Sequence, residues 1–198
     1  MLKLGLTGSI ATGKSTVLAH MATHGIPTFS SDDAVHRLYE GAAVAPIAAL
    51  FPDVVHDGSV DRARLSAVLV AAPDRLREIE AIVHPLVRAE VRNFFAVAEA
   101  KGHWAAVADI PLLYERGFDY GLDAVIVTAV DDAVQRQRVL ARPGMSVEKL
   151  EAILARQLPQ DDKKARADYV IDTGGSIDDT YRAVDALLLR LKTNQGLQ

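Results

Sequence analysis

The sequence predicts an α/β fold built on a mainly parallel five-stranded sheet, and two observations carry that expectation. Short, almost unbroken apolar runs alternate with longer stretches of helical periodicity, the pattern of strands covered on both faces and joined by crossover helices. A glycine-rich string ending in lysine and serine follows directly on the first of those runs. Together they place a phosphate-binding loop on the first strand of such a sheet.

Five strands are expected, at Leu2 to Thr7, Ile26 to Phe29, Trp104 to Ile110, Asp123 to Val130 and Tyr169 to Asp172. About seventy residues lie between the second and the third, far more than a crossover needs, so a helical insertion is expected there. Within it, Ala42 to Phe51 and Asp61 to Val70 read as helices on either side of a turn region at Pro52-Asp53 and Asp57-Gly58. From Asp74 to about Lys101, Leu76, Ile79, Ile82, Val83, Leu86, Val87, Val91 and Phe94 form a helical stripe. Pro85 interrupts that stripe and is expected to end one helix or start the next, with His84 at the boundary. The chain therefore reads as one domain, with a Rossmann-like core at about 1–32 and 103–198, an insertion at about 33–102 and a short helical lid at about 136–158.

Composition narrows the chemistry. The 198 residues are 49% apolar and 24% charged, close to globular averages. Lys plus Arg is 22 against 26 Asp plus Glu, a net charge of -4 that argues against non-specific nucleic-acid binding. With no cysteine, disulfides, thiolate zinc sites, Fe–S clusters and cysteine nucleophiles are excluded. No metal-ligand spacing stands out among the six histidines, so a zinc site is not expected. The N-terminal run passes straight into glycine and lysine and resembles no signal peptide, and no segment reads as a membrane span. The expectation is a cytoplasmic enzyme with no membrane, nucleic-acid or obligate protein partner.

Gly8-Ser9-Ile10-Ala11-Thr12-Gly13-Lys14-Ser15-Thr16 matches G-x-x-x-x-G-K-[ST] without a gap, after a strand and before a helix from Ser15 to about His24. In this P-loop NTPase pattern the loop amides cradle phosphates, Lys14 reaches the β- and γ-phosphates, and Ser15 offers its hydroxyl to Mg²⁺. Switch GTPases are excluded, because the only asparagines, Asn93 and Asn194, are not followed by lysine. Asp172-Thr173-Gly174-Gly175 comes too late for a switch and reads as a strand-to-helix turn. A kinase of small molecules is the leading class.

Three further segments belong to that chemistry. In Ser30-Ser31-Asp32-Asp33, one carboxylate can orient an attacking hydroxyl and one can cap the helix that follows. Asp109, ending the third strand, stands where a metal-supporting carboxylate belongs, or pins the loop before a proline-started helix. Arg138 and Arg142, four apart, share a helix face and either meet a polyphosphate or are solvated. Arg136 falls off that face, and Lys163, Lys164 and Arg166 read as surface charges.

The order of these blocks resembles the dephospho-coenzyme A kinase family. The resemblance rests on Leu6 to Thr16, Asp32 with His36, Asp61-Arg62-x-x-Leu65, His84-Pro85 with Arg88, Asp109-Ile110-Pro111-Leu112-Leu113-Tyr114-Glu115, Gln135-x-x-Arg138-x-x-x-Arg142, Gln157 and Ala167 to Asp172. It implies ATP and Mg²⁺, with ATP phosphates on Gly8, Ala11, Thr12, Gly13, Lys14, Ser15 and Thr16, and metal support from Ser15 and Asp109. It implies catalytic roles for Lys14, Asp32 and Arg142, with Arg138 and Arg142 on a closing lid. The acceptor, dephospho-CoA, is implied to meet Thr7, Asp32, His36, Arg62, His84, Arg88, Asp109 and Leu113. A nucleoside or nucleoside monophosphate kinase is the alternative enzyme, and a module using ATP as a switch ligand the non-enzyme one. Ser30 stands where the family usually has the first Asp of Asp-Ala-Asp, and Thr173 where it usually has Asn.

Overall fold

A computed structural model describes residues 1–196. The chain divides into two compact units, Met1–Phe29 together with Ala98 onward, and Ser30–Val97.

In the first unit the strands are β1 (Leu2–Gly8), β2 (Thr28–Ser30, at the boundary between the units), β5 (Ala105–Asp109), β6 (Ala124–Ala129) and β7 (Tyr169–Asp172). The helices are α1 (Lys14–Thr23), α6 (Leu113–Arg116), α7 (Asp132–Leu140), α8 (Val147–Leu154), α9 (Gln160–Arg166) and α10 (Ile177–Asn194). The second unit holds α2 (Ser31–Tyr39), α3 (Val44–Leu50), the short strands β3 (Val55–His56) and β4 (Ser59–Val60), and α4 (Arg62–Ala71). Helix α5 (Leu76–Ala100) carries the chain from the second unit back to the first.

All five expected strands form one sheet in the order β2-β5-β1-β6-β7. The expected ends are right to within two residues, and Tyr169–Asp172 agrees residue for residue. β1 is central and runs parallel to both β5 and β6, with Leu6 opposite Asp109 and Gly8 opposite Thr128. Its burial explains its composition: Leu4 and Leu6 are fully buried, and with Val17 and Met21 of α1, Val107, Ile126, Ile171 and Val184, Leu188 and Leu191 of α10 they form the core. Each such aliphatic side chain contributes roughly 1.5–3 kcal/mol. Because α1 and α10 pack together over this cluster, the start of α1 is held against the carboxyl end of the central strand.

In the second unit, two expectations are corrected. α5 is one continuous helix with Pro85 inside it. Proline at that point removes the hydrogen bond to the Ala81 carbonyl at a cost of about 3 kcal/mol, but Ile79, Val83, Val87, Val91 and Phe95 are all buried at four-residue steps on both sides of it. Burial of the stripe outweighs the local break, and the exposed Pro85 ring faces away from it. The turn at Asp57-Gly58 is present, but strands unforeseen in the sequence flank it: Val55 pairs with Val60 and His56 with Ser59. Positive φ at Asp57 (49°) and Gly58 (75°) matches a two-residue hairpin turn.

A third correction concerns Lys163, which is no surface charge: its side chain is 1% exposed and ion-paired to Glu115 of α6 at 2.8 Å. Glu115 Oε1 also accepts the Leu158 N–H at 2.8 Å, so this one carboxylate anchors the segment leading into α9. Burial acts to raise the Glu115 carboxyl, but hydrogen bonds from Lys163 and Leu158 hold it below its ordinary range. A depressed carboxyl stabilises the fold fully above the unfolded value of about 4.3 and loses that contribution as pH falls through the folded value.

Removing one partner leaves a buried charge uncompensated, so Lys163→Ala should cost about 3–5 kcal/mol by denaturant titration, whereas the Glu115→Leu/Lys163→Met pair should recover most of the loss. Equal stability of Lys163→Ala and the parent would show that the pair is solvated in solution.

Candidate active site

The loop between β1 and α1 owes its shape to backbone positions few side chains tolerate. Ala11 (φ 59°) and Gly13 (φ 81°) are left-handed, and Gly13 serves as the N-cap of α1 without any side-chain cap. The first amides of α1 are therefore left to whatever anion the loop encloses. Gly8 is required by contact: a Cβ there would lie 2.3 Å from Thr128 Oγ1 and 2.6 Å from Thr12 Oγ1. Those two hydroxyls, both buried, bond each other at 2.8 Å, and Thr12 Oγ1 donates to the Ser9 carbonyl at 2.9 Å. Lys14 folds back to donate from Nζ to the Gly8 carbonyl at 3.2 Å. Ser15 is exposed in the first turn of α1, and Thr16 is half-buried beside it. Thr7 is fully buried at the end of β1, and Leu113, at the start of α6, is 6% exposed.

Three side chains outside the loop hold it from the far side. Ile10 is gripped at both of its backbone groups, its N–H donating to Gln157 Oε1 at 3.1 Å and its carbonyl accepting from Gln135 Nε2 at 2.7 Å. A backbone N–H can only donate and a carbonyl only accept, so the orientation of each amide is fixed by the chemistry of its partner. Gln135 Oε1 in turn accepts from Gln160, whose own oxygen takes the Val130 N–H. On the other flank, Thr173 Oγ1 donates to the Thr12 carbonyl at 3.0 Å. Gln135 and Gln157 stand in the family-like blocks, but a sequence assigns such residues no partner; only the fold shows that they meet at Ile10.

The arginine pair is corrected by the same geometry. Arg138 lies in α7, half-buried, and clamps Thr173 with one guanidinium nitrogen 2.6 Å from its carbonyl and another 3.3 Å from its hydroxyl. Arg142 does not share its face, because α7 ends at Leu140 and Arg142 precedes Pro143, which disfavours helical backbone. It is exposed beyond the helix end. Arg136, off that face, is exposed as a solvated residue would be and pairs with Glu151, tying α7 to α8. Asp109 is half-buried at the end of β5, in register with Leu6 two residues before the loop. Beside the loop, a cavity of about 910 Å³ is lined by Ser9, Gln135, Gln157, Gln160, Asp172 and Lys164 among others, but by none of Lys14, Ser15 or Thr16.

The remaining candidates belong to the second unit. Ser30, not Asp32 or Asp33, caps α2, its hydroxyl accepting the Asp33 N–H at 3.1 Å. The expectation of an aspartate cap is thus overturned, because α2 already starts at Ser31 and places both carboxylates in its first turn. Asp32 and His36 are exposed one turn apart. Arg62 opens α4 after the Asp61 cap, and it is close enough to Tyr39 to offset part of the rise that burial gives the phenol. His84 and Arg88 are half-buried one turn apart on α5.

A family model described as Dephospho-CoA kinase matches residues 2–179. The chain belongs to the dephospho-CoA kinase family. A dephospho-CoA kinase of Brucella melitensis is 47% identical over 191 residues, 96% of each chain. One of Mesorhizobium japonicum is 48% identical over 196 residues, 99% of this chain and all of the relative. A solved structure from Thermus thermophilus superposes with a TM-score of 0.77 at 33% identity, covering 96% of this chain and 97% of that one. The family's reaction uses ATP, so the loop geometry above is that of a kinase.

The grip on Ile10 predicts an asymmetry. Gln157→Glu keeps an acceptor for the Ile10 N–H and should change the KM for ATP about twofold at most. Gln135→Glu sets a carboxylate against the Ile10 carbonyl and should raise that KM by roughly tenfold or more, the scale of an unsatisfied buried group. Steady-state kinetics would show the reverse ranking if the amides were oriented otherwise.

Proposed function

We propose that this chain transfers the γ-phosphoryl of ATP to the ribose 3′-hydroxyl of dephospho-coenzyme A, giving coenzyme A and ADP, with Lys14, Asp32 and Arg142 as the catalytic side chains. Carrying this reading is the loop at the carboxyl end of the central strand, where left-handed backbone at Ala11 and Gly13 turns the chain into the uncapped start of α1. A phosphoryl group in flight is loosely bonded to both oxygens, so positioning and charge neutralisation supply most of the barrier reduction. The amides of Ala11 to Thr16 hold the phosphates. Lys14 leaves the Gly8 carbonyl for the β- and γ-phosphate oxygens, and Arg142, on the segment joining α7 and α8, meets charge that develops during transfer. Asp32 aligns the 3′-hydroxyl and accepts its proton as the new P–O bond forms and the bond to ADP breaks.

Mg²⁺ suits the donor set at the loop, because the Ser15 hydroxyl and the Asp109 carboxylate are hard oxygen ligands at the ends of adjoining elements. When bound there it supplies neutralisation of phosphate charge. Residues 33–102 recognise the acceptor, with His36, Arg62, His84 and Arg88 as contacts; Thr7 and Leu113 are further contacts to it, and residues 136–158 act as the lid. No helix among the described residues is long and apolar enough to cross a membrane, in keeping with an enzyme working in the cytoplasm on small molecules.

Lys14→Ala should abolish transfer to dephospho-CoA in a coupled ADP-release assay while the far-ultraviolet circular dichroism is retained. Asp32→Asn should lower kcat on the order of 10²–10⁴-fold with ATP binding near normal, and Asp33→Asn should do much less. Arg62→Ala and Arg88→Ala should raise the KM for dephospho-CoA about tenfold or more, well beyond any change for ATP. Near-normal turnover of Lys14→Ala, or a stronger effect of Asp33 than of Asp32, would overturn the corresponding role.

A further inference from the structure

The histidines are not all without metal-ligand spacing. His20 and His24 stand four apart on one face of α1, an H-x-x-x-H pair, and the fold brings Asp185 of α10 against both. One carboxylate oxygen, Asp185 Oδ1, lies 2.7 Å from His20 Nε2 and 2.8 Å from His24 Nε2, and the two nitrogens are 3.4 Å apart. The His20 ring is held in place by stacking on Tyr181, with centroids 4.0 Å apart and planes within 7°.

That geometry is awkward for protons and well suited to a cation. For both imidazoles to bond Oδ1, both Nε2 atoms must carry hydrogen, which sets two N–H groups side by side on a single acceptor. An ion bound at about 2.0–2.1 Å to each nitrogen in a tetrahedral arrangement separates them by about 3.3–3.4 Å, the spacing already present. The carboxylate oxygen needs to withdraw by only about half an ångström to become the third ligand. His24 and Asp185 are 42% and 48% exposed, which leaves a fourth position to water. His24 is also the C-cap of α1, where the helix dipole favours positive charge. Two imidazoles and a carboxylate select zinc-like borderline ions over Mg²⁺ and Ca²⁺, which prefer all-oxygen sites.

We propose that His20, His24 and Asp185 form a binding site for one zinc-class divalent transition-metal ion, distinct from the magnesium of the phosphate loop. His20 is six residues beyond Lys14, roughly 9 Å along the helix axis. A metal there cross-links α1 to α10 over the core they share.

Co²⁺ titration of the full chain, stripped of metal with a chelator and free of nucleotide, tests this. One equivalent should bind, with a visible d–d absorption band that Zn²⁺ abolishes and a large excess of Mg²⁺ leaves intact. His24→Gln and Asp185→Asn should each weaken binding at least tenfold, and His56→Gln, altering an exposed histidine of β3, should not. Zn²⁺ at about a hundred times its Kd should raise Tm by roughly 5–10 °C in the parent and not in the variants. Absence of stoichiometric Co²⁺ binding, or binding undiminished in His24→Gln, overturns the site; should that variant fail to fold, undiminished binding in Asp185→Asn does so.

Discussion

Everything in the first unit is arranged around a stretch of backbone that must stay open. The loop from Gly8 to Gly13 leads into an uncapped helix start, takes left-handed backbone at Ala11 and Gly13 that side chains disfavour, and still has to be rigid enough to bind. Its order therefore comes from the outward-facing side of the same peptides. Thr12 and Thr128 lock the bend beneath it, Gln135 and Gln157 hold Ile10, and Thr173 takes the Thr12 carbonyl. Because these partners sit on β6, α7, the segment after α8 and the end of β7, polar contacts fasten the sheet and the arginine-bearing helix to the loop.

Thr173 shows how one substitution is absorbed by such a network. Where the family usually carries Asn, the threonine hydroxyl serves the loop and receives Arg138, while its carbonyl takes the stronger of the two guanidinium contacts. The threonine thus joins the loop to the arginine. It also stands 3.1 Å from where a Cβ of Gly13 would be, so the glycine is held by crowding as well as by its backbone angle.

Two ion pairs tie down the helices between β6 and β7. Glu115 and Lys163 bury a compensated pair that fastens α9, and Arg136 with Glu151 joins α7 to α8 nearer the surface. Burial separates the two in importance. The exposed pair can break for little free energy, whereas the buried one cannot be opened without stranding a charge. In the second unit the same contrast is made by apolar packing: the buried ladder on α5 keeps a proline inside a continuous helix.

Period and punctuation in the sequence were sufficient for the five-stranded sheet, the phosphate loop and the helical insertion, because each depends on local backbone preference or on an uninterrupted apolar run; the family was legible instead as a resemblance carried by the order of its motif blocks. The strands beside Asp57-Gly58 were not legible, being only two residues each. Nor could local rules settle Pro85, where burial on both sides outweighs the missing hydrogen bond, or Lys163, whose charge is tolerated only because Glu115 meets it. The glutamines at Ile10 and the convergence of His20, His24 and Asp185 were decided by tertiary structure alone, since their partners lie 125 to 165 residues away along the chain. Sequence pattern reports what a segment does with itself; which polar groups satisfy one another is determined only when the sheet brings distant helices within hydrogen-bond range.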